Sequence, residues 1–277
     1  MFDTTIDQLA ASGAQKAEQV RTAPLRFMVG AAMAGAYVGF GAILMFTVGA
    51  HADPAWARLI MGSVFAIGLT LITFAGGHLF TGAAMLMALA CLRRQANLRD
   101  VLAVLAVCWL GNLIGSVLLA VILKLAGGGV LLTDGAALFF KTAEHKANAS
   151  GVALLFRGIL CNWLVCLTVW MCARTKSDAA KLGLIFWPVM MFAACGFEHS
   201  VANMFTFSLA LLSEHPAGVT LGGALFNLAW VTLGNTVGGA LLVGVGYWVQ
   251  SDAPQQAAQA APQDAHPDPA TLAVRAP

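Results

Sequence analysis

The 277-residue sequence predicts an all-α integral membrane protein with six transmembrane helices in two inverted three-helix repeats. Three observations predict it. Charged residues make up 10% of the chain and the hydrophobic set 59%, whereas a soluble domain carries about 25% charge. Six apolar stretches reach the roughly 20 residues that a spanning helix needs. Two of them, the second of each half, are too long for one ordinary helix and are broken in the middle by GGHLFTG (Gly76 to Gly82) and GFEHSVANM (Gly196 to Met204).

The elements follow in order. Residues 1–25 carry Asp3, Asp7, Lys16, Glu18 and Arg21 and lack the apolar core of a signal peptide. Phe2, Ile6, Leu9, Ala17 and Val20 recur at helical spacing with Gly13 inside the stripe, which predicts an amphipathic helix on the membrane face or on a neighbouring subunit. Residues 26–250 form the pore domain. Its spans are Phe27 to Ala50, Leu59 to Leu92 with the first break, Val101 to Leu123, Ser150 to Ala173 with Arg157 near its start, Leu182 to Leu212 with the second break, and the uncharged run Pro216 to Ser251. Ala31, Gly35 and Gly39, and again Gly111 and Gly115, recur every fourth residue and predict seams where helices or subunits approach closely. Residues 251–277, rich in Ala, Pro and Gln, predict a disordered cytoplasmic tail.

Loop charge sets the orientation. Arg93, Arg94 and Arg99 follow the second span, and Arg174, Lys176 and Lys181 follow the fourth. The positive-inside rule puts both loops and both termini in the cytoplasm, as expected of a multi-pass protein of the cell inner membrane. Three spans per half then make the halves enter the bilayer from opposite sides.

Several function classes are excluded. A net charge of +2 without a basic patch gives no nucleic-acid partner. The six cysteines all fall in apolar segments, which argues against a disulfide framework. No Gly-x-Ser-x-Gly elbow, His-Glu-x-x-His pair or nucleotide-binding motif occurs, so neither an enzyme nor a metal or cofactor site is expected. The paired Asn-Pro-Ala loops of water channels are also absent. What remains is a transport site. Paired interrupted helices at matching positions point to one at the midplane. Freed backbone groups there must face protein or a water-filled path. Glu198 and His199 sit within the second such break, where an ionisable group is a functional candidate.

The motifs AMAGAYVGFG (Ala32 to Gly41), LFT (Leu79 to Thr81), GILCNWLVC (Gly158 to Cys166), GFEHSVANM and WVTLGNT (Trp230 to Thr236) resemble, in this order, the formate/nitrite transporter family. CNWLVC and WVTLGNT are most similar to its nitrite-channel branch. The resemblance covers about residues 1 to 250. It implies an aquaporin-like protomer in a homopentamer, with one pore per protomer and a small monovalent anion as substrate. Nitrite is expected first, with formate or hydrosulfide as alternatives.

The resemblance also implies site residues. The central pore histidine falls on His199, the threonine of the first break on Thr81, and the pore asparagines on Asn162 and Asn235. The vestibule lysine falls on Lys146, and the apolar constrictions on Leu79, Phe80, Phe192, Phe65 and Leu69. One position departs: where the family usually has a glutamate before LFT, this chain has His78, while Glu198 is kept in the second break.

Charge logic agrees with an anion pore. A vestibule lysine raises the local anion concentration. Half-helix N-termini present partial positive charge and free donors. Apolar constrictions resist a bare anion more than its neutral conjugate acid. His199 is therefore expected to lend a proton to the anion and recover it, protons being the second partner beside the lipid bilayer. Thr81, Asn162 and Asn235 would orient anion or ring. Glu198 reads as structural, because a carboxylate beside an anion repels it. Passive channel and proton-coupled symporter or exchanger both remain open at this point.

Overall fold

The computed structural model describes residues 2–252, and the tail expected at 251–277 lies, past Asp252, outside the described residues. Every regular element described is helical.

α1 (Asp3–Thr22) is helical and buries its apolar stripe on its own protomer rather than on the membrane face or a neighbouring subunit. Ile6, Leu9, Ala10, Gly13 and Ala17 are buried, and the helix docks on α5 (Phe80–Leu92). Gly13 is needed there, because a Cβ would collide with the carbonyl of Leu86. α2 (Pro24–Gly49) begins with proline at its first turn, where the missing N–H is not required. α3 (Ala57–Phe65) and α4 (Ile67–Ala75) run on as one rod, followed by the first break and α5. α6 (Leu98–Leu125) starts in a capping box, in which Asn97 and Asp100 each satisfy the other's backbone N–H.

After a short 3-10 turn come α7 (Ala136–Ala147), which the sequence did not announce, and α8 (Gly151–Ala173). Ser177 caps α9 (Asp178–Ala194), and the second break leads to α10 (Ser200–Leu212). α11 (Leu221–Val237) continues through a π-helical stretch, Gly238–Val245, into α12 (Gly246–Val249).

Among the described residues, five helical stretches are long and apolar enough to cross a membrane: Pro24–Gly49, Ala57–Ala75, Leu98–Leu125, Gly151–Ala173 and Leu221–Val249. The fifth expected span, Leu182 to Leu212, is not one of them. It is divided between α9 and α10, each too short alone. A belt of exposed apolar side chains, among them Leu110, Ile114, Leu118, Phe156 and Trp187, covers the outside. Such a belt suits lipid or neighbouring subunits.

The small-residue seams pack helices within the protomer. α2 lies along α6, where a Cβ on Gly35 would meet the Asn112 carbonyl and one on Gly115 the Ala32 carbonyl. α8 lies along α11 in the same way, through Gly234 and Gly238 against the carbonyls of Leu155 and Ile159. Gly115→Ala is expected to lower the thermal midpoint in detergent, since overpacking costs about 1–3 kcal/mol. Gly183→Ala, where a Cβ meets nothing within 4 Å, is expected to leave it unchanged. Equal midpoints for the two would show that the α2–α6 approach is not limiting.

Candidate functional site

Each break is made by a glycine with positive φ: Gly76 at 89° ends α4, and Gly196 at 71° follows α9. The chain then runs extended through Leu79 and through His199 before α5 and α10 begin. Backbone groups freed in this way would be unsatisfied in lipid.

Two asparagines satisfy them, one per break. Asn112 on α6 accepts from the Phe80 N–H at 2.9 Å and donates to the carbonyls of Ala31 at 2.7 Å and His78 at 2.9 Å. Asn235 on α11 accepts from the Ser200 N–H at 2.9 Å and donates to the carbonyls of Gly158 and Glu198, both at 2.9 Å. The pattern is the same twice. Each asparagine holds the first N–H of a half-helix, the last carbonyl but one before it, and a carbonyl of the helix alongside. Both stand in the tripeptide LGN, at 110–112 and 233–235. That repeated tripeptide was the signal that could have found Asn112, which sequence reasoning missed.

At the centre the breaks meet. His199 Nε2 lies 3.3 Å from Thr81 Oγ1. The Ala202 N–H donates to His199 Nδ1 at 3.3 Å, so the ring caps α10. With Nδ1 accepting, the neutral ring carries its proton on Nε2, the nitrogen that faces Thr81. A small cavity beside it is lined by Phe65, Leu69, Leu79, Phe192 and His199, with Val38 and Val189. Four of the five expected constriction residues therefore come together with the histidine. Phe65 and Phe192 meet edge to face at 5.9 Å, and Phe192 stacks on the His199 ring at 5.9 Å. Phe80 is the exception: it is buried on α5, outside that lining, and engages the site through its N–H.

Three of the expected site residues already have hydrogen-bond partners within the protein. Asn162 and Asn235 are fully buried and bond to backbone rather than facing the cavity as anion donors. Asn162 donates to the carbonyls of Thr81 at 3.0 Å and Asn235 at 2.5 Å. The physical reason is the broken helices, whose free carbonyls compete for every buried donor. Lys146, at the end of α7, is not a free vestibule cation. Its ammonium donates to Glu198 at 2.7 Å, and that carboxylate also accepts from Asn203 at 2.6 Å. Asn203 donates in turn to Asn227 at 2.8 Å, and Asn227 to the Lys146 carbonyl at 2.9 Å. This closes a ring that fixes α7 to the second break. Asn203 and Asn227 were single polar residues in apolar runs, with no spacing to mark them. The role of Glu198 in that ring is to brace.

His78 lies at the equivalent place in the first break. Its ring stacks on Phe27 at 4.2 Å, and the ammonium of Lys16 on α1 donates to its Nδ1 at 2.9 Å. Burial pushes the Lys16 ammonium below the usual lysine value. Among the described residues no group of three or more His, Cys, Asp and Glu side chains could hold a metal ion.

Comparison with known proteins bears on this geometry. Residues 3–249 match the sequence profile of the family described as Formate/nitrite transporter. The chain is 45% identical over 248 residues to the "Nitrite transporter NirC" of Escherichia coli (strain K12), covering 90% of this chain and 92% of that one. Among solved structures it is similar to an "FNT family ion channel", with a TM-score of 0.87 at 44% identity over 90% of this chain and 100% of the other. A "Pentameric formate channel with formate bound" matches with a TM-score of 0.71 at 29% identity, over 83% and 98%.

Proposed function

This chain belongs to the formate/nitrite transporter family, and from that premise we propose that it carries nitrite across the cell inner membrane through a pore in each subunit of a pentamer. Both termini lie in the cytoplasm, and the six spans form two inverted repeats. The nitrite assignment is supported by the likeness to the nitrite transporter, and the pentamer by the likeness to the pentameric formate channel. The repeat is supported by the matched asparagine braces, and the orientation by the arginine-rich loops.

The observation that carries the mechanism is the cavity in which His199 is the one ionisable side chain among apolar lining residues. A bare anion is held back by the apolar lining, Leu79, Phe65 and Phe192 among it, because its hydration is lost there. At the cavity the anion accepts the His199 Nε2–H, with the Thr81 hydroxyl beside it. Lending that proton requires Nδ1 to take one up first, which releases the Ala202 N–H from its cap. The anion's negative charge favours that step, so proton loan is tied to anion arrival. Nδ1 gains a proton from the aqueous phase and Nε2 gives one to the anion; the neutral acid passes the constriction and dissociates beyond it, and the ring returns to its resting form by taking a proton at Nε2 and losing the one at Nδ1, which restores the Ala202 cap. The combined movement is one anion with one proton. Formate, a second weak-acid anion, would pass by the same chemistry.

The test is uptake of nitrite and formate into proteoliposomes under an imposed pH gradient, with internal pH recorded. Wild type is expected to move nitrite faster than formate and to shift internal pH as it does so. His199→Gln keeps a donor but cannot exchange a proton, and is expected to lose the pH shift and about a hundredfold in rate, the low end of what general acid catalysis supplies. Unchanged rate and pH shift in that variant would refute the proton loan. No movement of either anion by wild type would refute the substrate class.

A further inference from the structure

The repeated sequence around the braces extends beyond the asparagines. Asn112 closes WLGN, Trp109 to Asn112, and Asn235 closes TLGN, Thr232 to Asn235. Trp109 and Thr232 therefore hold equivalent places, about one helical turn before each asparagine. They also meet: the Trp109 indole N–H donates to the Thr232 hydroxyl at 3.0 Å. In an inverted repeat, equivalent residues touch only where the two-fold axis that relates the halves passes between them. The bond thus joins α6 to α11, the two helices that carry the braces, at the same distance along the chain from each.

What this bond adds follows from the other links between the halves. α3 packs on α9 and α6 on α10, but apolar contact has no direction. The Lys124 ammonium donates to the Leu212 carbonyl and the Arg174 guanidinium to the Thr5 hydroxyl, both at helix ends. Level with the cavity, the Thr81 carbonyl accepts from Asn162 at 3.0 Å and from the Cys166 thiol at 3.3 Å. One anchored point leaves the halves free to turn about it. Such a turn carries the Thr81 hydroxyl, which is off that point, away from His199 Nε2, 3.3 Å distant. A second directed attachment stops the turn. Trp109 and Thr232 supply one, and neither lines the cavity.

We propose that the Trp109–Thr232 bond is the second attachment between the halves and holds Thr81 against His199 for the proton loan. Trp109 and Thr232 are positioning residues that act through the Thr81 hydroxyl. This rests on the inverted repeat and the proton loan proposed above, and names residues outside the cavity on which the rate of that step depends.

The test is nitrite uptake by the full chain in proteoliposomes with internal pH recorded, at a temperature where every oligomer is monodisperse. Maximal flux and half-saturating concentration are read separately. Trp109→Phe keeps an aromatic ring and loses the donor; Thr232→Val keeps the shape and loses the acceptor. Each is expected to lower maximal flux, and the pH shift with it, about tenfold, less than the roughly hundredfold that a misplacement of about 1 Å costs. Half-saturation is expected to stay as it was. Thr232→Ser keeps the hydroxyl and is expected to stay within about twofold of wild type, the scatter of independent effects. Trp109→Phe with Thr232→Val should lose no more than either alone. Adding either variant to Thr81→Val should cost less than about twofold, because the hydroxyl they position is gone. Wild-type flux in both single variants, a raised half-saturation, or an undiminished tenfold loss on top of Thr81→Val would overturn the proposal. If Trp109→Phe does not assemble, Thr232→Val decides by the same criteria. If wild type moves no anion, the transport reading fails separately, and thermal midpoints in detergent decide the attachment: a loss for Thr232→Val with Thr81→Val smaller than the sum of the single losses supports it, and additive losses overturn it.

Discussion

Lys146→Met is expected to lower the thermal midpoint in detergent by roughly 10 °C, because removing one partner of a buried ion pair costs about 3–5 kcal/mol. The carboxylate of Glu198 is 4% exposed and would keep only the Asn203 amide. Glu198→Gln is expected to cost less, since the Lys146 side chain is 17% exposed and its head can turn toward water. The double variant should recover much of the loss of Lys146→Met, because it strands no charge. The measurement is the loss of the monodisperse oligomer peak with temperature. If Lys146→Met melts with wild type, the ion pair does not hold α7 to the second break.

Asn235→Leu is expected to remove proton-linked nitrite uptake altogether. The asparagine holds the Glu198 carbonyl on one side of His199 and the Ser200 N–H on the other. Each buried group left without its partner costs about 1–3 kcal/mol, and the two backbone ties that flank the histidine are lost. Asn112→Leu removes the same number of bonds at the first break but does not flank the histidine. Both variants should lose stability by similar amounts, while Asn112→Leu retains more of the proton linkage. Uptake with internal pH recorded, at a temperature where both oligomers survive, separates the two effects. Wild-type proton linkage in Asn235→Leu would show that His199 is placed by something other than this brace.

These two expectations rest on residues of different legibility in the sequence. The interruptions between α4 and α5 and between α9 and α10 fall where glycine and polar residues stand in the middles of two apolar runs longer than one span. The nearness of Thr81 and His199 follows from those breaks only through the family resemblance, since they lie 118 residues apart. Lys146 could be singled out, but its partner could not, because sequence spacing does not say that α7 folds inward over the second break. The asparagines were read as ligands when their donors serve the backbone. In a broken helix the nearest unsatisfied group is a carbonyl, and a buried amide is drawn to it before any solute. The π-helical stretch after Val237 left no mark in the apolar pattern at all.

The asparagine braces have a consequence for how such a pore can move. Asn112 ties together Ala31, His78 and Phe80, all in the first half of the chain, and Asn235 ties Gly158, Glu198 and Ser200, all in the second. Neither brace crosses between halves. Polar bonds that do cross include three on Thr81, through His199, Asn162 and Cys166, and one from the Trp109 indole to the Thr232 hydroxyl, a turn away from the two braces. A displacement of one half against the other would therefore strain two places, the Trp109–Thr232 bond and Thr81, and through Thr81 it reaches the imidazole.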